Sequence, residues 1–111
     1  TLQRISSTLV KARDPKQAWP YAERCLELRR KLAAANPANA GARGEVAIAL
    51  ATAGEVRAAM GDRVAARRWY GEALASFAEL QNRGQASASL MDDARRASAA
   101  MAALVDSQSR R

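Results

Sequence analysis

The sequence has no histidine, one cysteine and few aromatic residues, and each shortage excludes a class of site. Histidine is the usual general base and the commonest metal ligand, so its absence argues against most catalytic and metal centres. The single cysteine, Cys25, cannot form a disulfide within the chain, and its apolar surroundings indicate a small core residue. We therefore expect no catalytic residue, no metal site and no cofactor.

The sequence also lacks long apolar runs and any segment in which apolar and polar residues alternate strictly. No stretch is apolar for the length of a membrane span, no signal peptide is visible, and β-sheet is not expected. Alanine dominates the apolar residues, which make up 49% of the 111 residues, and alanine is the best helix former. The composition predicts one all-α domain. The chain opens at Thr1 inside a helical pattern, which predicts a fragment of a longer protein.

Helical periodicity predicts about five antiparallel helices, packed as stacked long helical hairpins. The predicted helices cover residues 1–12, 14–35, 38–60, 62–82 and 90–106, followed by a frayed tail at 107–111. Gly61 suits the left-handed end of a helix, and Asp62 can cap the next one. Pro20 either bends the first turn of the second helix or indicates a later start for that helix.

Apolar stripes at intervals of three and four residues predict which side chains point inward. In the central hairpin they are Val46, Ile48, Leu50, Val56 and Met60, then Val64, Trp69, Tyr70, Leu74, Phe77 and Leu80. Before and after it they are Ala18, Tyr21, Ala22, Cys25, Leu26, Leu28 and Leu32, then Leu90, Ala94, Ala97, Met101, Leu104 and Val105. Trp19, beside Pro20, is either a core-edge residue or an exposed binding hot spot.

The sequence is similar to itself after a shift of about 48 residues, which indicates a structural repeat. The shift superimposes Ala18 on Ala66, Ala22 on Tyr70, Leu26 on Leu74 and Leu32 on Leu80. We divide the domain accordingly into a truncated first repeat (1–37), a second repeat (38–84), a capping helix (85–106) and the tail.

The second repeat resembles the tetratricopeptide family in its small and aromatic packing positions. The matching pattern is Leu50-x-x-Ala53-Gly54-x-x-Arg57, Gly61-Asp62, then Ala66-x-x-x-Tyr70-x-x-Ala73. Ala53 and Arg57 stand where the family has leucine and an aromatic residue, and the closing proline is absent. The longer period resembles arrays found behind the kinase domain in bacterial eukaryotic-like serine/threonine kinases, although no kinase catalytic motif is present.

The resemblance implies a non-catalytic scaffold that binds a protein or peptide partner on the first helix of each pair. The family's groove positions fall on Gln3, Ser7 and Lys11 in the first repeat and on Ala51, Glu55 and Ala59 in the second. These positions could equally be ordinary exposed or helix-contact sites. A second interpretation is a structural segment that caps a longer array and self-associates into a homo-oligomer.

A third interpretation is nucleic-acid binding, since the formal charge is +7 and arginine doublets recur along the chain. The doublets recur about once per helix, which is typical of helix faces exposed to solvent. Few aromatic residues lie between the basic residues, as they would at a surface that stacks on bases. Helix-supporting pairs are predicted at Glu27–Lys31, Glu79–Arg83 and Asp92–Arg96. We therefore rank nucleic acid below a protein partner, and we expect no membrane contact within this segment.

Overall fold

The computed structural model describes residues 15–109, which form four helices and no strand. The helices are α1 (Pro15–Ala35), α2 (Ala40–Ala59), α3 (Arg63–Asn82) and α4 (Ala88–Ser109). The all-α prediction is confirmed, but these residues contain four helices rather than about five. The first predicted helix, at residues 1–12, lies outside the described residues.

Capping side chains explain where three of the helices begin. The side-chain oxygens of Asn39, Asp62 and Ser87 each accept a backbone N–H from three residues further on, at 3.1 Å. The cap at Ser87 starts α4 at Ala88, two residues before the predicted start. The predicted tail is also partly wrong, because α4 continues to Ser109. α1 begins at Pro15 and contains Pro20, which excludes the later start.

The turn between α2 and α3 has the chemistry that the sequence predicted. Gly61 has φ +84°, a left-handed value that suits glycine. The Asp62 N–H donates to the Arg57 carbonyl at 2.9 Å, and the Gly61 N–H donates to the Ala58 carbonyl at 3.0 Å. These bonds satisfy carbonyl groups at the end of α2. The chain can therefore reverse direction within a few residues.

The first three helices alternate in direction, so α2 runs antiparallel to α1 and α3 runs antiparallel to α2. Arg43 at the start of α2 pairs with Glu79 near the end of α3 at 3.6 Å, while Gly54 near the end of α2 contacts Tyr70 earlier in α3. α4 contacts both α3 and α2. It runs in the direction of α2, since Gly44 meets Leu90 early in both helices, and Glu55 and Ala100 line the same groove further along both. The result is a layer of stacked helices in which α2 and α4 lie side by side.

The core lies between α2 and its neighbours. Its largest buried members are Leu26, Leu50, Tyr70, Phe77, Leu80 and Leu90, and Ala18, Ala22 and Val56 form a smaller cluster. Alanine and glycine fill most remaining buried positions of α2, which lets the helices approach closely.

Several residues predicted to point inward are exposed instead. Val64 is 81% exposed, because two residues of α-helix correspond to about 200° of rotation from buried Ala66. Leu28 stands in the same relation to buried Leu26. The other exposed members of the predicted set are Tyr21, Leu32 and Val105.

Burial agrees at two of the four residue pairs that the 48-residue shift superimposes. Ala18 and Ala66 are both fully buried, and Ala22 and Tyr70 are 1% and 5% exposed. The other two pairs differ, since Leu26 is buried and Leu74 only partly buried, and Leu32 is 53% exposed and Leu80 is 1% exposed. Leu80 belongs to the core cluster that includes residues of α2 and α4, whereas Leu32 does not.

Two of the three predicted helix-surface ion pairs are present. Lys31 pairs with Glu27 at 3.5 Å, and Arg83 pairs with Glu79 at 3.1 Å. The third prediction is wrong, because Arg96 bonds Asp93, and Asp92 bonds Arg95. Both alternative pairs are three residues apart, a spacing that also places side chains on neighbouring turns.

Candidate functional site

The parallel course of α2 and α4 leaves an open groove between them, with a volume of about 340 Å³. Its lining from α2 is Ile48, Ala51, Thr52 and Glu55, and from α4 it is Asp93, Arg96, Ala97 and Ala100, with Tyr70 of α3 beneath. We call this the α2–α4 groove. Small side chains form its floor and charged side chains contribute to its lining, so it can accept an apolar side chain and fix its neighbours by polar contacts.

The sequence placed partner contacts at six positions, of which two line this groove. Ala51 and Glu55 lie on the α2 wall. Ala59 is exposed in the last turn of α2 and is not part of the lining. Gln3, Ser7 and Lys11 lie outside the described residues.

Sequence reasoning missed the α4 wall of the groove. Asp93 and Arg96 were not among the positions predicted to contact a partner, yet they line the groove with Ala97 and Ala100. Asp93, Ala97 and Ala100 are separated by four and three residues, which is one helical face. That spacing could have indicated the wall, but only once α4 was known to lie beside α2.

Tyr70 connects the groove to the core. Tyr70 is only 5% exposed. Three of its ring carbons lie 3.0 to 3.1 Å from the position that a Cβ atom would occupy if Gly54 carried a side chain. Burial, followed by the negative charge of Glu55, raises the pKa of Tyr70 to about 12. Tyr70 therefore stays neutral at physiological pH and presents a phenol rather than a phenolate.

The raised pKa predicts a loss of stability at alkaline pH. An unfolded tyrosine ionises near pH 10 and folded Tyr70 near 12, so its stabilising contribution is complete below pH 10 and declines as the pH rises towards 12. We expect a decline in unfolding free energy of about 2 kcal/mol across this interval. Urea denaturation at stepped pH measures it.

Two phenylalanine variants control this measurement. Tyr70→Phe keeps the ring and removes the ionisable hydroxyl, so its stability should depend less on pH. Tyr21→Phe changes an exposed residue and should keep the full decline. Parallel curves for wild type and Tyr70→Phe would contradict the assignment.

A second groove, of about 560 Å³, opens on the α1–α3 side of the molecule. Trp69 lines this groove, and the partly buried Trp19 packs behind it with a distance of 6.0 Å between the two ring centroids. The guanidinium carbon of Arg57 lies 3.8 Å from the ring centroid of Trp19. The sequence resemblance aligned Arg57 with an aromatic position of the tetratricopeptide pattern, and in the structure Arg57 stacks on an aromatic ring of the neighbouring helix.

Two arginine doublets with described side chains lie next to carboxylates. An Arg29 amino nitrogen lies 3.7 Å from a Glu45 carboxylate oxygen, and one of Arg30 lies 4.0 Å from a Glu72 carboxylate oxygen. The doublet on α4 bonds the acidic pair that precedes it on the same helix. These doublets do not form one continuous basic surface, which favours a protein partner over a nucleic acid.

The structure describes the side chains of residues 15–105, and among them no group of three His, Cys, Asp or Glu is arranged to hold a metal ion. None of the four helices combines the length and apolar character needed to cross a bilayer.

Comparisons of the chain with models of known protein families, with curated proteins and with solved structures find no match. Inferences about function therefore depend on the residues and geometry described above.

Proposed function

We propose that this chain is a non-catalytic binding module, which docks a short segment of a protein partner in the α2–α4 groove. The observation that carries the proposal is the groove itself. Two helices with the same direction present small residues at its centre and the charged Glu55, Asp93 and Arg96 in its lining. An extended or helical peptide can place apolar side chains on the floor and polar groups against the charges.

The geometry of the central hairpin supports a tetratricopeptide-like arrangement. Gly54 lies against the ring of Tyr70, and Ala66 is fully buried. Small residues at these positions let the two helices approach, and stacked hairpins leave a concave surface along alternate helices. We also propose the relation to kinase-linked arrays, which a kinase domain encoded upstream of this segment would support.

A phage-displayed library of short random peptides tests the proposed groove. Peptides enriched on the wild-type chain should lose at least about tenfold in affinity, or about 1.4 kcal/mol, for Ala51→Arg, because the long side chain fills the groove. Ala75→Arg places the same side chain on the exposed face of α3 and should leave affinity unchanged. Circular dichroism establishes that both variants remain helical.

The same peptides also test the positions predicted from sequence. Joint replacement of Gln3, Lys11 and Glu55 by alanine should weaken binding further than Glu55→Ala alone if the groove continues into the first repeat. No enriched peptide, or equal binding to the Ala51→Arg and Ala75→Arg variants, would overturn the proposal. Sedimentation then shows whether a second copy of the chain is the natural occupant.

A further inference from the structure

The groove on the α1–α3 side has a composition typical of binding hot spots and is independent of the proposed peptide groove. Its lining includes Arg30, Arg57, Arg68, Trp69 and Val64. Tryptophan and arginine are among the residues most enriched at binding hot spots, the positions where truncation to alanine weakens binding most. Val64 adds an 81% exposed apolar side chain. We call this surface the Arg–Trp groove.

The arginines of the Arg–Trp groove are only weakly satisfied within the described part of the chain. An Arg57 amino nitrogen lies 3.9 Å from an Asp62 carboxylate oxygen, and Arg30 lies 4.0 Å from Glu72. Both distances exceed that of a hydrogen bond. The buried Nε of Arg57 has no hydrogen-bond partner.

Asp62 is shared between Arg57 and the helix cap, because its other carboxylate oxygen accepts the hydrogen bond from the Ala65 N–H that caps α3. Arg68 is exposed and makes no ion pair with the described residues. Three guanidinium groups thus line a groove with two carboxylates, Asp62 and Glu72. An incoming carboxylate could form charge-assisted hydrogen bonds there without displacing a side-chain hydrogen bond of these arginines.

We propose that the Arg–Trp groove binds an acidic segment of a protein partner that also carries aliphatic side chains. Carboxylates of the segment pair with the exposed Arg68 and with Arg30. Its aliphatic side chains cover Val64 and the exposed part of Trp69. Charge complementarity selects the acidic residues, and the apolar contact selects against a purely charged chain.

The same surface is poorly suited to nucleic acid. Single-stranded nucleic acid binds where its bases can stack on exposed aromatic rings and a continuous basic groove follows its phosphate backbone. Here Arg57 covers a face of Trp19, and the two indoles pack against each other at an interplanar angle of 52°.

Tryptophan fluorescence gives a readout specific to this groove. The chain has two tryptophans, of which Trp69 lines the Arg–Trp groove and Trp19 packs against Trp69. The probes are a short peptide of glutamate, aspartate and leucine, its lysine-substituted counterpart, and single-stranded oligothymidine. The acidic peptide should change the emission in a saturable manner, and the lysine counterpart should not.

Matched charge reversals locate the effect. Arg68→Glu should lower the affinity for the acidic peptide by about tenfold or more, because an attractive charge pair at the interface is replaced by a repulsive one. Arg24→Glu makes the same charge change on an exposed part of α1 outside the groove and should alter affinity by less than about twofold.

Three outcomes would overturn the proposal. They are no saturable emission change with the acidic peptide, equal losses in the two charge-reversal variants, or tighter binding of oligothymidine than of the peptide. A peptide selected on the α2–α4 groove should leave the tryptophan emission unchanged, since no tryptophan lines that groove. The two proposals can therefore fail separately.

Discussion

Replacing Leu80 with alanine should lower the free energy of unfolding by about 3 kcal/mol. Leu80 is 1% exposed and is one of the two largest fully buried side chains. It belongs to the cluster that joins α2, α3 and α4, so the truncated site cannot easily collapse around a smaller residue. A small domain is stable by only about 5 to 15 kcal/mol, so the loss is a large fraction of the total. Urea denaturation measures it.

Leu32 provides a matched control for this prediction. The 48-residue shift of the sequence superimposes it on Leu80, but it is 53% exposed, so Leu32→Ala should cost less than about 1 kcal/mol. Equal effects at the two positions would mean that Leu32 is covered in solution, and the described packing of α1 would then be incomplete. A small effect at Leu80 would contradict its place in the core.

The central hairpin was predictable from sequence because its turn is encoded by local chemistry. Gly61 and Asp62 act through their own backbone and side-chain preferences, which do not depend on distant residues. The small residue at Gly54 and the aromatic Tyr70 were predicted to pack together, and they do. The remaining caps were harder to place, because serine is common in this chain and only the structure shows that Ser87 begins α4.

The failures occur where several helical faces are comparably apolar. Leu28 lies three residues after Cys25 and four before Leu32, but alanine-rich neighbours offer another stripe with the same period. Val64 lies five and six residues before Trp69 and Tyr70, so it does not continue their stripe. Periodicity then predicts a helix without fixing which face is buried. The α4 wall of the groove could not be predicted either, because it depends on contact between helices far apart in sequence.

Placing a side chain at Gly54 should destabilise the domain, by about 1 kcal/mol for alanine and about 3 kcal/mol for valine. A Cβ there would lie 3.0 Å from two ring carbons of Tyr70, closer than real Cβ atoms normally approach. Tyr70 is buried and has little room to withdraw. Alanine is otherwise the better helix former by about 1 kcal/mol, so the net loss for that variant is smaller than the contact alone would cause.

Two other glycines separate crowding from helix propensity in this last prediction. Gly71 of α3 has open space where a Cβ would go, so Gly71→Ala should stabilise by about 0.5 to 1 kcal/mol. Gly44 has Leu90 methyl groups at 3.4 Å, on the boundary between tight and ordinary contact, so slight crowding offsets the gain in helix propensity and Gly44→Ala should be nearly neutral. Denaturation midpoints should therefore rank Gly71→Ala above Gly44→Ala, and both above Gly54→Ala. If Gly54→Ala were as stable as Gly71→Ala, α2 and α3 could not be packed as closely as their contact at Tyr70 requires, and the tetratricopeptide-like arrangement would lose its main support.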